Sequence, residues 1–248
     1  METTAHTVTP KMKVEIWSDI MCPFCYIGKR HYEQALQSFT DSAHTEVVWK
    51  SFQLDPTIPD QVEKNLTASH YLASRKGISL EQVEAMHAQV TQMAKNAGLE
   101  YLLDQALVYN SFKAHRIIQF AKTKGLGHVA EEIFFAAHFT HNKDLGNTEM
   151  LISLGQEIGL SESEIQEALT NDVYAYKVKQ DIQEAQQIGV TGVPFFVFNR
   201  KYAVSGAQPT EVFLQTLEKS FAEWRKDNPI TPLEIIQGNV CTLDGECD

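Results

Sequence analysis

The sequence predicts a mixed α/β fold in which a small sheet is interrupted by a long helical insertion: strand–helix–strand first, a hairpin and a closing helix last. Three observations carry that reading. Lys13-Val-Glu-Ile-Trp-Ser18 has the pattern of a strand, with Val14 and Ile16 on one face, and leads into a helical pattern. From about Asn65 to Ile188 apolar residues recur every three or four positions, between clear helix stops. Strand signals return only at Pro194-Phe-Phe-Val-Phe198.

Each element follows in turn. Cys25, Gly28, Tyr32, Leu36 and Phe39 share one face of the first helix, and Pro23 suits its first position, where no N–H is needed. Glu46 to Phe52 reads as the second strand, ended by Asp55-Pro56 and Pro59. In the insertion, Ser79-x-x-Gln82 and Ser161-x-x-Glu164 are capping boxes. Val83, Met86, Val90, Met93 and Ala97 form one apolar stripe closed by Gly98; Val178, Ile182, Ala185 and Ile188 form another closed by Gly189. Helical stretches lie between them near Ser111–Lys124, His128–Phe139 and Thr148–Ile158. After the third strand, a turn at Asn199–Lys201 leads into Tyr202–Ser205 as a hairpin. Gly206 to Pro209 opens a last helix, with Phe213, Leu217, Phe221 and Trp224 on one side. The implied division is a discontinuous sheet domain, 12–60 and 189–226, an inserted helical subdomain, 61–188, and an extended tail, 227–248.

Composition narrows the function classes. With 248 residues, 43% hydrophobic and 21% charged, the chain can build a core without disulfide staples. A formal net charge of −11 argues against nucleic acid and anionic membrane surfaces as partners. Met1 to Lys13 has no apolar run like a signal-peptide core, and no stretch approaches a membrane span, so the expected address is the cytoplasm. Structural disulfides are uncommon there, which gives weight to four cysteines arranged as two close pairs.

Cys22-Pro-Phe-Cys25 opens a helix directly after a strand, the setting of a redox pair. Cys22, at the helix mouth, is the expected attacking sulfur: unpaired N–H groups and the positive end of the helix dipole favour a thiolate there. Cys25, one turn inside, is expected to be more shielded and to resolve the mixed disulfide. Between them, Pro23 stiffens the turn and Phe24 adds an apolar ring without charge. Lys29 and Arg30 are expected to be solvated. A second piece is Gly189-Val-Thr-Gly-Val-Pro194, just before an apolar strand. Val193–Pro194 is either a cis bond facing the cysteines or a trans proline that only starts a strand.

These residues carry a family resemblance. Trp17-Ser-Asp-Ile-Met-Cys-Pro-Phe-Cys-Tyr-Ile-Gly-Lys29, Ser51-Phe-Gln-Leu-Asp-Pro56, Asn110-Ser-Phe-Lys-Ala-His-Arg116, Gly192-Val-Pro-Phe-Phe-Val-Phe-Asn199 and Tyr202-Ala-Val-Ser-Gly-Ala-Gln208 resemble the DsbA-type thioredoxin family, in its FrnE-like branch. The resemblance spans about Lys13 to Trp224. It implies a thioredoxin fold with an inserted helical domain, and dithiol–disulfide exchange on protein substrates in the cytoplasm. It also implies a substrate-binding role for Pro23, Phe24, Val193 and Pro194, no cofactor beyond glutathione as co-substrate, and a glutathione or thioredoxin-system partner. His115 and Asn110 are placed as groove-lining or locally satisfied helix residues.

Cys241 and Cys247 stand apart, with five residues between them and a turn at Asp244-Gly245. Some FrnE-like proteins carry a second C-terminal pair with four between, so three readings stay open: a second redox centre, an isolated disulfide, or, with the first pair, a zinc site. The competing functions are a glutathione-dependent kappa-class-like transferase or isomerase, and a chaperone that needs no thiol. A cytosolic glutathione poise keeps an oxidising pair reduced, which favours a reductase or isomerase over an oxidase.

Overall fold

The computed structural model describes residues 10–62 and 66–229. Strand β1 (Met12–Ser18) runs parallel to β2 (Thr45–Ser51), in register from Met12 opposite Thr45 to Ser18 opposite Ser51. A parallel pair needs a crossover, and helix α1 (Pro23–Ser38) supplies it. On the other edge of β1 lies β3 (Phe195–Phe198), antiparallel, with Ile16 opposite Phe196; β4 (Tyr202–Ser205) pairs with β3. The sheet order is β2-β1-β3-β4. The three-residue β3–β4 connection, Asn199–Lys201, places Asn199 and Arg200 at φ 48° and 55°, and the Lys201 N–H closes the turn on the Phe198 carbonyl at 3.0 Å.

Between β2 and β3 the described residues form seven α-helices: α2 (Ala68–Lys76), α3 (Leu80–Asn96), α4 (Phe112–Thr123), α5 (Gly127–Phe139), α6 (Thr148–Ile158), α7 (Glu162–Thr170) and α8 (Asp172–Gln187). Helix α9 (Thr210–Asp227) closes the fold. The architecture is the thioredoxin fold with a helical insertion, as the element order predicts. Both predicted capping boxes form, at Ser79 and Ser161.

Packing follows the strand alternation. Val14, Ile16, Phe196 and Phe198 meet Tyr32 and Ala35 of α1 and Phe213 and Leu217 of α9. The insertion has its own core of Ile117, Phe134, Leu151 and Ile165, and Ile20, from the loop before Cys22, is buried in it. The opposite sheet face binds the insertion through an apolar cluster, Trp17 and Val197 with Ala185 of α8, and through polar groups. Trp17 Nε1 donates to the Asp181 carbonyl at 2.8 Å, and Gln119 Nε2 donates to Ser51 Oγ at 2.9 Å.

Four sequence expectations need correction. β2 ends at Ser51 rather than Phe52, whose N–H instead reaches the Ser18 carbonyl at 2.9 Å. Helix α2 has no counterpart in the sequence reading: none of its residues is buried, so it shows no apolar stripe, only a Thr67 cap and a left-handed Gly77. On α3 the inward face is Val83, His87 and Ala94, while Met86 and Met93 are exposed. The polar α2 contact shifts that face, with Ser69 Oγ at 3.4 Å from His87 Nδ1. Ile188 is exposed because it caps α8 beyond its last packed turn. Among the described residues, no helix is long and apolar enough to cross a membrane.

Candidate active site

Cys22 is the N-cap of α1, with φ −91° and ψ 112°, and Pro23 fills the first helical position. The turn into the helix is held by backbone: Cys22 N–H donates to the Asp19 carbonyl at 2.9 Å, and Cys25 N–H to the Cys22 carbonyl at 3.0 Å. No side chain caps this helix mouth; Pro23 has no N–H and the Cys25 N–H is taken, so the Phe24 N–H and the helix dipole are left to favour charge on the Cys22 sulfur. Both thiols are free, not bridged.

Opposite them, the Val193–Pro194 peptide bond is cis, the alternative that faces the cysteines. The Cys22 thiol donates to the Val193 carbonyl at 3.4 Å, and Gly206 N–H donates to the Pro194 carbonyl at 2.8 Å. Gly28 is what lets α1 approach this loop: a Cβ there would sit 3.0 Å from Pro194 Cγ and 3.4 Å from Phe196 Cζ. The structure thus brings Cys22, Pro23, Cys25, Val193 and Pro194 together around one helix mouth. Phe24 stands at its rim, 38% exposed.

The expected contrast in shielding between the cysteines is small: Cys22 is 3% and Cys25 1% exposed. The reason is the insertion. Ala94, Leu99, Tyr101, Phe135 and Phe139 pack with both cysteines and Tyr26 into one cluster, and Tyr101 Oη donates to the Pro23 carbonyl at 2.8 Å. Burial pushes the Cys25 thiol well above its ordinary pKa, and the hydrogen bond and charge of Cys22 push the same way. The Asp19 backbone and the Ser18 hydroxyl pull it back.

Lys29 is not solvated but 1% exposed; it pairs with Glu33 at 2.6 Å and with Glu132 of α5. Arg30 bonds the same two carboxylates, and Tyr26 Oη donates to Glu132 at 2.6 Å. Burial alone would raise both carboxyls. At Glu33 the hydrogen bond to His128 and the charges and hydrogen bonds of Lys29 and Arg30 outweigh it, and at Glu132 Arg30, Lys29 and the Tyr26 hydroxyl do; each carboxyl is held at about 2. Tertiary packing supplied Glu132, which no local spacing could have paired with Lys29.

Asn110 lies just before α4, where its Oδ1 accepts the Phe112 N–H at 2.9 Å, but it and His115 also bond outside the helix. Asn110 accepts from Gln53 Nε2 at 2.9 Å and donates to the Ile58 carbonyl at 2.5 Å; His115 Nε2 lies 3.3 Å from Asp19 Oδ1. Sequence reasoning missed Asp19 and Tyr101 as contributors to the site, and spacing alone holds no signal for either. Cys241 and Cys247 lie outside the described residues. Among the described residues no group of three His, Cys, Asp or Glu side chains is placed to hold a metal ion.

A free dithiol at the mouth of the first helix, faced by a proline loop on this sheet, defines the class: a thioredoxin-fold thiol oxidoreductase. The model of the DSBA-like thioredoxin domain matches residues 13–218, and the chain belongs to that family. It is similar to a probable DsbA oxidoreductase from Streptomyces coelicolor, at 36% identity and TM-score 0.81, over 96% of this chain and 98% of that one. It is 25% identical over 216 residues to the uncharacterized protein YwbO of Bacillus subtilis, covering 86% of this chain and 97% of YwbO. At 16% identity and TM-score 0.57 it shares the fold of the cytosolic disulfide reductase DsbM from Pseudomonas aeruginosa, over 87% of this chain and 98% of that one; DsbM has also been solved with GSH.

Proposed function

We propose that the chain reduces or isomerises disulfides of protein substrates, with Cys22 as nucleophile and Cys25 as resolving thiol. The single observation that carries this is the Cys22 sulfur at an uncapped helix mouth, 3.4 Å from the Val193 carbonyl, with Cys25 one turn behind it. Cys22 thiolate attacks a substrate disulfide; one substrate sulfur leaves as thiolate and the other stays bound as a mixed disulfide. Cys25 then attacks Cys22, the Cys22–Cys25 disulfide forms, and the second substrate thiol leaves. The substrate gains two electrons and the dithiol loses two.

Resetting the pair needs a thiol reductant, for which glutathione or a thioredoxin-system protein in the cytoplasm is proposed. No other cofactor takes part. An extended substrate strand would pair with backbone at Val193 and lay apolar side chains against Phe24, Pro23 and Pro194. Cys241 and Cys247 are proposed as a second thiol pair able to exchange with the first.

The test is reduction of a peptide disulfide by single-cysteine variants. Cys22→Ser abolishes turnover, and Cys25→Ser accumulates mixed disulfide. Undiminished turnover in Cys22→Ser would remove this reading, and activity only on small electrophiles with glutathione would replace it with a transferase.

A further inference from the structure

The segment Asn110-Ser-Phe-Lys-Ala-His115 lies in the insertion, yet its polar side chains act elsewhere. His115 is fully buried, and its Nδ1 has no partner. The one polar contact of the ring is Nε2 to Asp19 Oδ1, 3.3 Å away and 96 positions back in sequence. A carboxylate can only accept, so the ring nitrogen donates.

Asp19 itself is 2% exposed and shares its groups between two sides. Its carboxylate accepts the Met21 N–H at 3.3 Å and the Leu54 N–H at 2.8 Å, while its backbone carbonyl accepts the Cys22 N–H at 2.9 Å. Those bonds define the turn Asp19–Cys22 that delivers the Cys22 sulfur to the helix mouth. Asn110 holds the segment after β2 through Gln53 and Ile58, so both ends of the motif clamp the insertion to the cysteine loop and its neighbour. The Asp19 backbone also acts on Cys25, easing its ionisation.

We propose that Asp19 and His115 are positioning residues that lock the turn before Cys22, so that the helical insertion sets how readily the two thiols close into a disulfide. The inference rests on the dithiol reading above. In ring closure Cys25 thiolate, its proton given up to buffer, attacks Cys22. The Cys22–Cys25 bond forms, the bond from Cys22 to the bound thiol breaks, and that thiol leaves as thiolate. Closure demands a narrow range of sulfur separation and dihedral angle, so a turn held in place raises the effective concentration of one thiol at the other. Releasing the carboxylate from His115 frees the turn and spreads the sulfur over unproductive positions.

The experiment equilibrates the full chain in glutathione and glutathione disulfide, quenches with acid and alkylates. Mass spectrometry of the Cys22–Cys25 peptide then gives the ratio of closed disulfide to Cys22–glutathione mixed disulfide. His115→Met, similar in bulk but without a donor, lowers that ratio about tenfold, whereas His115→Gln, which keeps an N–H, stays within about threefold of wild type. A global loss of stability would not move this ratio in the folded chain, and melting curves of both variants check that they are folded. Should His115→Met fail to fold, Asp19→Ala cuts the same link from the other side together with the Met21 and Leu54 bonds, and the ratio is expected to fall at least as far. An unchanged ratio, or a Gln variant that falls as far as Met, overturns the proposal. A wild-type chain that forms neither species overturns the dithiol reading instead.

Discussion

Two buried residues, neither of them a cysteine, show how closely the site depends on its surroundings. Gly28 sits where helix and proline loop touch, and any side chain there meets Pro194, Phe196 and Ala207 within 3.5 Å. Overfilling a packed contact costs about 1–3 kcal/mol. Gly28→Val is therefore expected to lower stability by that amount in urea unfolding and to slow peptide-disulfide reduction, because Pro194 is pushed from Cys22. Glu131 is the second case. Burial pushes its carboxyl up to about 7, against the pull of His115, Lys29 and Lys122, and one of its oxygens has no partner. Its folded value exceeds the ordinary 4.5, so the protonated form favours folding. Stability is complete below about 4.5 and falls as pH climbs through about 7, by on the order of 3 kcal/mol. In Glu131→Gln that decline should flatten between pH 5 and 8, which denaturant titrations at the two pH values measure; an equal decline in both chains would refute the assignment.

Among the elements, the decisive junction is α1 against α5. Lys29 and Arg30 leave the redox helix one turn beyond Cys25 and are met by Glu33 on their own helix and Glu132 on the insertion. Both carboxyls are held at about 2, below their ordinary value, so their contribution is present above about 4.5 and is lost as pH falls through about 2. Removing one partner leaves a buried lysine with less compensation, the costly way to break such a pair. Acid unfolding followed by circular dichroism should begin at higher pH in Glu132→Gln than in the wild type. Helix periodicity identified α1 correctly but said nothing of this junction, because Glu132 lies 103 positions from Lys29.

Across the whole molecule, the insertion and the sheet each have an apolar core, and the shared apolar cluster around the cysteines and a set of polar ties join them. Asp181 of α8 accepts the Ser51 N–H at 3.0 Å and binds Lys50 at 3.0 Å, while its carbonyl takes the Trp17 indole N–H. Ile20 anchors the cysteine loop in the insertion's core. A chain joined this way should unfold as one unit. Tryptophan fluorescence, which includes Trp17 at the junction, and far-ultraviolet circular dichroism are expected to give coincident urea transitions. Two separated transitions would show that the ties do not couple the cores.

The sequence by itself determined the order of strands and helices apart from α2, the Cys22–Cys25 motif at a helix start, the capping boxes and the hairpin, because each rests on periodicity or local backbone chemistry within a few residues. Only the tertiary structure decided which polar side chains meet around the cysteine loop and its helix. His115 and Asp19, Tyr101 and Pro23, and Lys29 and Glu132 meet across 78 to 103 positions, and their hydrogen bonds exist only once the insertion has packed onto the sheet. The same packing buried Cys22 nearly as deeply as Cys25 and exposed Met86 and Met93, since burial depends on the neighbour a face receives as well as on the face itself.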